Sequence, residues 1–134
     1  MKPLYILNGP NLNFLHKREP EIYGGISLEV IQSACLKMAQ EKGLSIVFRQ
    51  TNHEGILIDW VQEAEEKASA LLINAGGLTH TSISLMDALL TVKVPVIEVH
   101  ISSPKRREDF RHVSYVSQAA HGIVAGFGIN SYIL

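Results

Sequence analysis

The sequence has a single cysteine, Cys35, which excludes a disulfide framework or a cysteine metal site built within one chain. Cys35 falls in a helical apolar stripe, where a thiol behaves as a small core hydrophobe. An excess of one charge is also missing. With 12 basic against 13 acidic side chains, the chain generates no field that would attract nucleic acid. No apolar run approaches the roughly 18 residues that a membrane span needs. The opening Met-Lys-Pro-Leu-Tyr-Ile-Leu runs directly into a strand-like segment, so a cytoplasmic protein with no membrane partner is expected. Internal repeats, linkers and a glycine-lysine-serine phosphate loop are absent. What remains is a chain of 134 residues, 46% apolar and 19% charged, long enough for one buried core and one domain over 1–134.

Short apolar runs rich in branched residues at Leu4–Leu7, Leu44–Phe48, Leu71–Ile73, Val94–Val99 and Ile123–Phe127 predict five buried strands. Between the first two, Leu28, Ile31, Cys35 and Met38 recur at helical spacing after Ser27, a good N-cap, and Gly43 supplies the stop. Leu57, Val61, Ala64 and Ala68 repeat the pattern, as do Ile83, Met86 and Leu90. Ser103 followed by Pro104 suggests a short fourth helix, and Gly128–Leu134 leaves room for hardly one turn. Strands alternating with helices predict an α/β fold: a flavodoxin-like, three-layer, doubly wound, five-stranded parallel sheet.

In that strand order the first and third strands lie side by side, and ligands bind beyond their carboxyl ends. Three polar clusters fall at this rim: Asn8-Gly9-Pro10-Asn11-Leu12-Asn13, Asn74 to Ser82, and Glu98-Val99-His100-Ile101-Ser102-Ser103. Glycines there allow close backbone approach, and amides opening the next helices suit an anion, so a small, polar, anionic ligand is expected. Each cluster has a plainer reading. Asn-Gly-Pro is a good turn sequence, Thr79 to Ser82 can simply cap a helix, and Glu98 with His100 is a common polar pair at a strand end. The dozen residues of Phe14–Gly25 read either as a lid or as a solvated charge run. Asn52-His53-Glu54-Gly55 follows the second strand, away from the switch point, and reads as turn and helix entry. His16, His112 and His121 have no evident partner in the sequence.

Asn8 to Asn13, Arg18-Glu19-Pro20-Glu21-Ile22-Tyr23-Gly24, Asn52 to Gly55, Asn74 to Ser82, Glu98 to Ser102 and Arg107-Glu108-Asp109-Phe110-Arg111-His112 together resemble the type II 3-dehydroquinate dehydratases, in order and with their usual separations. The resemblance spans nearly the whole chain. It implies a cofactor-free dehydration of 3-dehydroquinate through an enolate, in the shikimate or quinate pathway. Tyr23 is then the base and His100 the acid, with Glu98 orienting His100. Arg18 favours the transition state, and Asn11 stabilises the enolate through a bound water. Arg18 and Arg111 supply the positive charge that a phenolate needs.

By the same resemblance Asn74, His80 and Arg111 contact substrate hydroxyls or carboxylate, while the backbone of Ile101 and Ser102 receives the carboxylate. Asp87 reaches into a neighbouring subunit's site, within a trimer-based homo-oligomer that commonly assembles as a homododecamer. No metal is implied. Two departures accompany the likeness. Ser103 stands where the family usually has Asn, followed by Pro104-Lys105-Arg106, and most of the family's terminal helix has no counterpart; the first bears on the carboxylate loop, the second on assembly. Two other readings compete: a flavodoxin-like protein holding FMN or another phosphate ligand at this rim, and a catalytically silent oligomeric scaffold. Intact Arg18, Tyr23 and His100 count against the scaffold.

Overall fold

The computed structural model describes residues 1–17, 21 and 25–134. Five strands, β1 (Leu4–Asn8), β2 (Ile46–Gln50), β3 (Ala70–Asn74), β4 (Val96–His100) and β5 (Gly122–Ala125), form one parallel sheet in the order β2-β1-β3-β4-β5. This is the flavodoxin-like α/β arrangement that the sequence pattern predicts. Connections diverge at β1 and β3, opening a crevice beyond their carboxyl ends. Asn8 and Asn74, the last residues of these strands, stand opposite each other in register.

Helix α1 (Leu28–Glu41) begins where Ser27 Oγ accepts a hydrogen bond from Val30 N at 3.2 Å. It buries Leu28, Ile31, Cys35 and Ala39, whereas Met38, expected in that stripe, is only partly buried. Gly43 then turns the chain at φ +69°, in the region that favours glycine. That turn also takes up Leu44, so β2 starts two residues later than its apolar run, and Leu44 N bonds back to Ala39 O. Helix α2 (Glu54–Lys67) buries Leu57, Val61 and Ala64 as the spacing predicts.

Helix α3 (Ile83–Thr91) lies where expected but turns another face inward. Leu85, Ala88 and Leu89 are buried, while Ile83 and Leu90 are 54% and 58% exposed. Ser103 and Pro104 open a short helix as the pair suggests, with Ser103 at its N-cap and Pro104 in its first turn, but it is a 3₁₀ turn of three residues, Pro104–Arg106, and two more such turns follow before β5, Asp109–Arg111 and Val116–Gln118. Lys105 to Asp109 are all charged, so this stretch has no apolar stripe whose burial would offset helix nucleation. The last strand also ends early, because Gly126 and Gly128 adopt positive φ and Phe127 turns outward, 61% exposed. A single-turn helix, α4 (Asn130–Ile133), follows.

Alternation along the strands divides the core in two. Tyr5, Leu7, Leu71, Ile73 and Val96 pack with α2 and α3 on one face, and Ile6, Val99 and Ile101 pack with α1 and Tyr132 of α4 on the other. Among the described residues no helix is long and apolar enough to cross a membrane.

Candidate active site

The floor of the crevice is close-packed backbone. A Cβ on Gly9 would lie 2.3 Å from Ala75 O, and one on Gly76, at φ +60°, would lie 2.8 Å from Pro10 O. Only glycine lets the loops after β1 and β3 interlock this tightly. A buried side-chain relay spans the same point. Asn74 Nδ2 donates to Tyr132 Oη at 2.8 Å, Tyr132 Oη donates to Asn8 Oδ1 at 2.7 Å, and Asn8 Nδ2 donates to Arg49 O at 3.0 Å. Burial pushes the Tyr132 phenol well above its ordinary value, so it remains a neutral donor. Asn74 Oδ1 accepts from Gly76 N, which leaves one Nδ2 hydrogen for a ligand. Asn8 and Tyr132 were not among the expected site residues. Their signal is slight, an Asn closing a strand and a Tyr in a short terminal segment.

Asn11 follows at φ +71°, a left-handed conformation that Asn tolerates better than most residues. Its backbone N donates to Asn52 Oδ1 at 2.9 Å, and Gln50 Nε2 braces the same loop by donating to Gly9 O and Asn52 Oδ1 at 3.1 Å each. Asn52 is therefore more than a turn residue, because it crosses from the β2 side to hold Asn11. Glu54 likewise accepts from Ser82 Oγ at 2.5 Å, joining the starts of α2 and α3.

Glu98 and His100 project from the same face of β4, with His100 Nε2 2.5 Å from Glu98 Oε2. A carboxylate only accepts, so Nε2 carries the proton and Nδ1 is the nitrogen left to exchange one with a ligand. Glu98 is 1% exposed. Burial alone would raise its carboxyl, but hydrogen bonds from His100, Ser117 and Ser114 outweigh that and hold it below its ordinary range. His80, in the turn Gly76–His80, approaches Val113 O to 2.7 Å through Nδ1. Burial, the largest cause, lowers its pKa, so a neutral ring presents Nε2 as an acceptor.

His80, His100, Asn74, Ile101, Ser102 and Arg111 line one recess of about 40 Å³, together with Leu12, Gly76, Gly77, Pro104 and Arg107. All six were expected from the sequence. Arg107, in the Arg107–His112 motif, is not among the expected site residues, and its side chain is only 11% exposed. Arg111 Nε donates to Glu108 Oε2 at 2.7 Å, which offsets part of the charge expected of it. A larger cavity of about 560 Å³ adjoins the recess across Ile101, Ser102 and Arg107, but neither histidine lines it. Asn11 lies outside the recess, and Glu98 lies behind His100. Asp87 sits on the exposed face of α3 with Ile83 and Leu90, away from its own chain's recess. Arg18 and Tyr23 fall outside the described residues.

Three other histidines have local partners. His121 Nδ1 accepts from Val96 N, His112 Nε2 meets Arg107 O, and His16 packs edge-on against Phe14. Among the described residues no three His, Cys, Asp or Glu side chains are grouped to hold a metal.

The family model described as Dehydroquinase class II matches residues 2–134. The chain is 58% identical over 134 residues to a Caulobacter vibrioides protein named 3-dehydroquinate dehydratase, covering 100% of this chain and 92% of that one. It is 53% identical over 131 residues to a Rhizobium johnstonii protein of the same name, covering 98% and 90%. The crystal structure of a type II dehydroquinase from Butyrivibrio crossotus matches with a TM-score of 0.96 at 39% identity, over 98% of this chain and 92% of that one. With a family model reaching from residue 2 to 134 and relatives more than half identical along nearly their whole length, the chain belongs to the class II dehydroquinase family.

Proposed function

We propose that this chain eliminates water from 3-dehydroquinate to give 3-dehydroshikimate through an enolate, as a cytoplasmic, cofactor-free hydro-lyase. The observation that carries the reading is the recess at the β1/β3 switch point. There a carboxylate-backed imidazole (His100), a neutral imidazole (His80), an amide (Asn74) and the Ile101-Ser102 backbone converge. A polyhydroxylated ring carboxylate needs that mixture of donors and acceptors.

Tyr23, as phenolate, takes the proton next to the ketone, and the electrons pass to the carbonyl oxygen. Asn11, acting through a bound water, stabilises the enolate. The enolate then expels the neighbouring hydroxyl, which takes a proton from Nδ1 of His100, a ring that is doubly protonated at this step with Nε2–H kept on Glu98, and leaves as water. A phenol of ordinary pKa about 10 requires nearby cations to serve as a base near neutrality, at roughly 1.4 kcal/mol per unit. Arg18 and Arg111 fill that role, and Arg107 at the recess, its side chain mostly buried, adds to it.

The complete site is proposed to need at least a trimer, with Asp87 of one subunit reaching another's recess. The exposed Asp87 and its exposed neighbours Ile83 and Leu90 support that role. Adding 3-dehydroquinate and following the conjugated enone absorbance of the product tests the activity. Absence of that absorbance with well-folded protein refutes it.

A further inference from the structure

We propose that Ser114 and Ser117 are positioning residues for the acid, two hydroxyls that fasten the Glu98 carboxylate and through it fix the His100 ring. The inference rests on the reaction proposed above. Glu98 Oε2 accepts from His100 Nε2 at 2.5 Å and from Ser114 Oγ at 2.8 Å, and Oε1 accepts from Ser117 Oγ. Neither serine comes from the sheet or lines the recess. Both belong to the segment that returns from the charged Lys105–Asp109 stretch toward β5.

That segment is itself anchored. Tyr115 N donates to Thr79 O at 2.8 Å, and Val116 is fully buried in the core on the α3 side. Ser117 lies in the 3₁₀ turn Val116–Gln118, and Ser114 stands two residues before it. Ser117 N also donates to Ser114 Oγ at 3.0 Å, so both hydroxyls are held toward the carboxylate.

A carboxylate removed from water tends to take up a proton unless donors replace its hydration. The serines supply two such donors, beside the one from His100. Other charged or titratable groups around Glu98 are His80, facing from the turn after β3, and Lys105, Arg111 and His112, which line a cavity of about 210 Å³ on its far side. With donors on both oxygens the carboxyl is constrained from rotating. His100 therefore keeps its Nε2–H on Glu98 and its Nδ1 toward the departing hydroxyl, the nitrogen from which the doubly protonated ring gives its proton. With one hydroxyl removed, the carboxyl gains both freedom and proton affinity.

Ser117→Ala is the cleaner variant, because Ser117 is exposed and Ser114 also accepts a backbone bond. The expected result is a fall in kcat on the order of tenfold, as for loss of an oriented charge-assisted hydrogen bond, with KM nearly unchanged. Ser117→Thr restores the hydroxyl and is expected to restore the rate. Carbon-13 NMR of the Glu98 carboxyl is expected to show its titration midpoint rising in the Ala variant and returning in the Thr variant. An unchanged midpoint overturns the proposal, including where kcat falls, because a merely loosened loop lowers the rate without acting on this carboxyl. An unchanged kcat in an active enzyme overturns it as well. Wild-type protein inert toward 3-dehydroquinate refutes the proposed function alone, and the Glu98 midpoint still decides the part played by the serines.

Discussion

At the scale of single residues, the proposed division of labour between Tyr23 and His100 makes separate demands on each. Tyr23→Phe keeps the ring volume and removes the base, so turnover is expected to fall by at least ~100-fold with circular dichroism unchanged. His100→Ala is expected to cripple kcat while sparing much of substrate binding, because its role comes at the departure of the hydroxyl. Near-normal kcat in either variant removes that residue from the mechanism. Glu98 has a stability signature of its own. Its carboxyl is held below the ordinary value of 4.5, so its ionised form contributes stability that is present above that value and is lost as pH falls through the lower folded value. Urea unfolding is therefore expected to separate wild type from Glu98→Gln most at neutral pH, with the gap narrowing below about pH 4.5. A gap that widens on acidification contradicts the assigned direction of the shift.

At the scale of elements, local chemistry was legible wherever one residue decides the outcome. Ser27 caps α1, Gly43 ends it, and the run from Leu4 enters the interior strand β1, because caps, left-handed turns and branched runs act over a few residues. The inward face of α3 was not legible. Ile83, Met86 and Leu90 fit helical spacing as well as Leu85, Ala88 and Leu89 do, and what selects between them is packing against α2 and the sheet. The same limit hid Tyr132 and Asn52. Tyr132 acts across 124 positions of sequence on Asn8, and Asn52 across 41 on Asn11, so neither spacing nor composition points to them. Tyr132 yields a direct test. Tyr132→Phe leaves Asn8 Oδ1 without its donor and removes the acceptor for Asn74 Nδ2. A loss of roughly 1–3 kcal/mol in unfolding free energy is expected from the urea midpoint. An unshifted midpoint shows that the relay does not hold α4 to the switch point.

At the scale of the whole molecule, two properties depend on where surfaces and charges lie relative to the recess. The exposed Ile83, Asp87 and Leu90 lie on one side of α3, a surface suited to a neighbouring copy. Light scattering is expected to give a trimer or a multiple of it, and a fully active monomer would refute the shared site. The second property is the choice between an enolate and a lysine Schiff base, two unrelated ways to the same product. A lysine that forms a Schiff base must lose its proton near neutral pH, which calls for burial or a neighbouring cation in the pocket. All seven lysines are exposed, and none lines the recess. Lys2 and Lys93 precede β1 and β4, at the end of the sheet opposite the crevice, and Lys37, Lys42 and Lys67 belong to the lengths and ends of α1 and α2. Lys17 packs over the Phe14 ring at 5.1 Å, and Lys105 donates to His112 O at 2.8 Å. Borohydride added with substrate is therefore expected neither to inactivate the enzyme nor to leave an adduct, and chelators are expected to leave the rate unchanged. Mass spectrometry of the treated protein decides the first point, because a substrate-dependent mass increase on any lysine is incompatible with a purely enolate path.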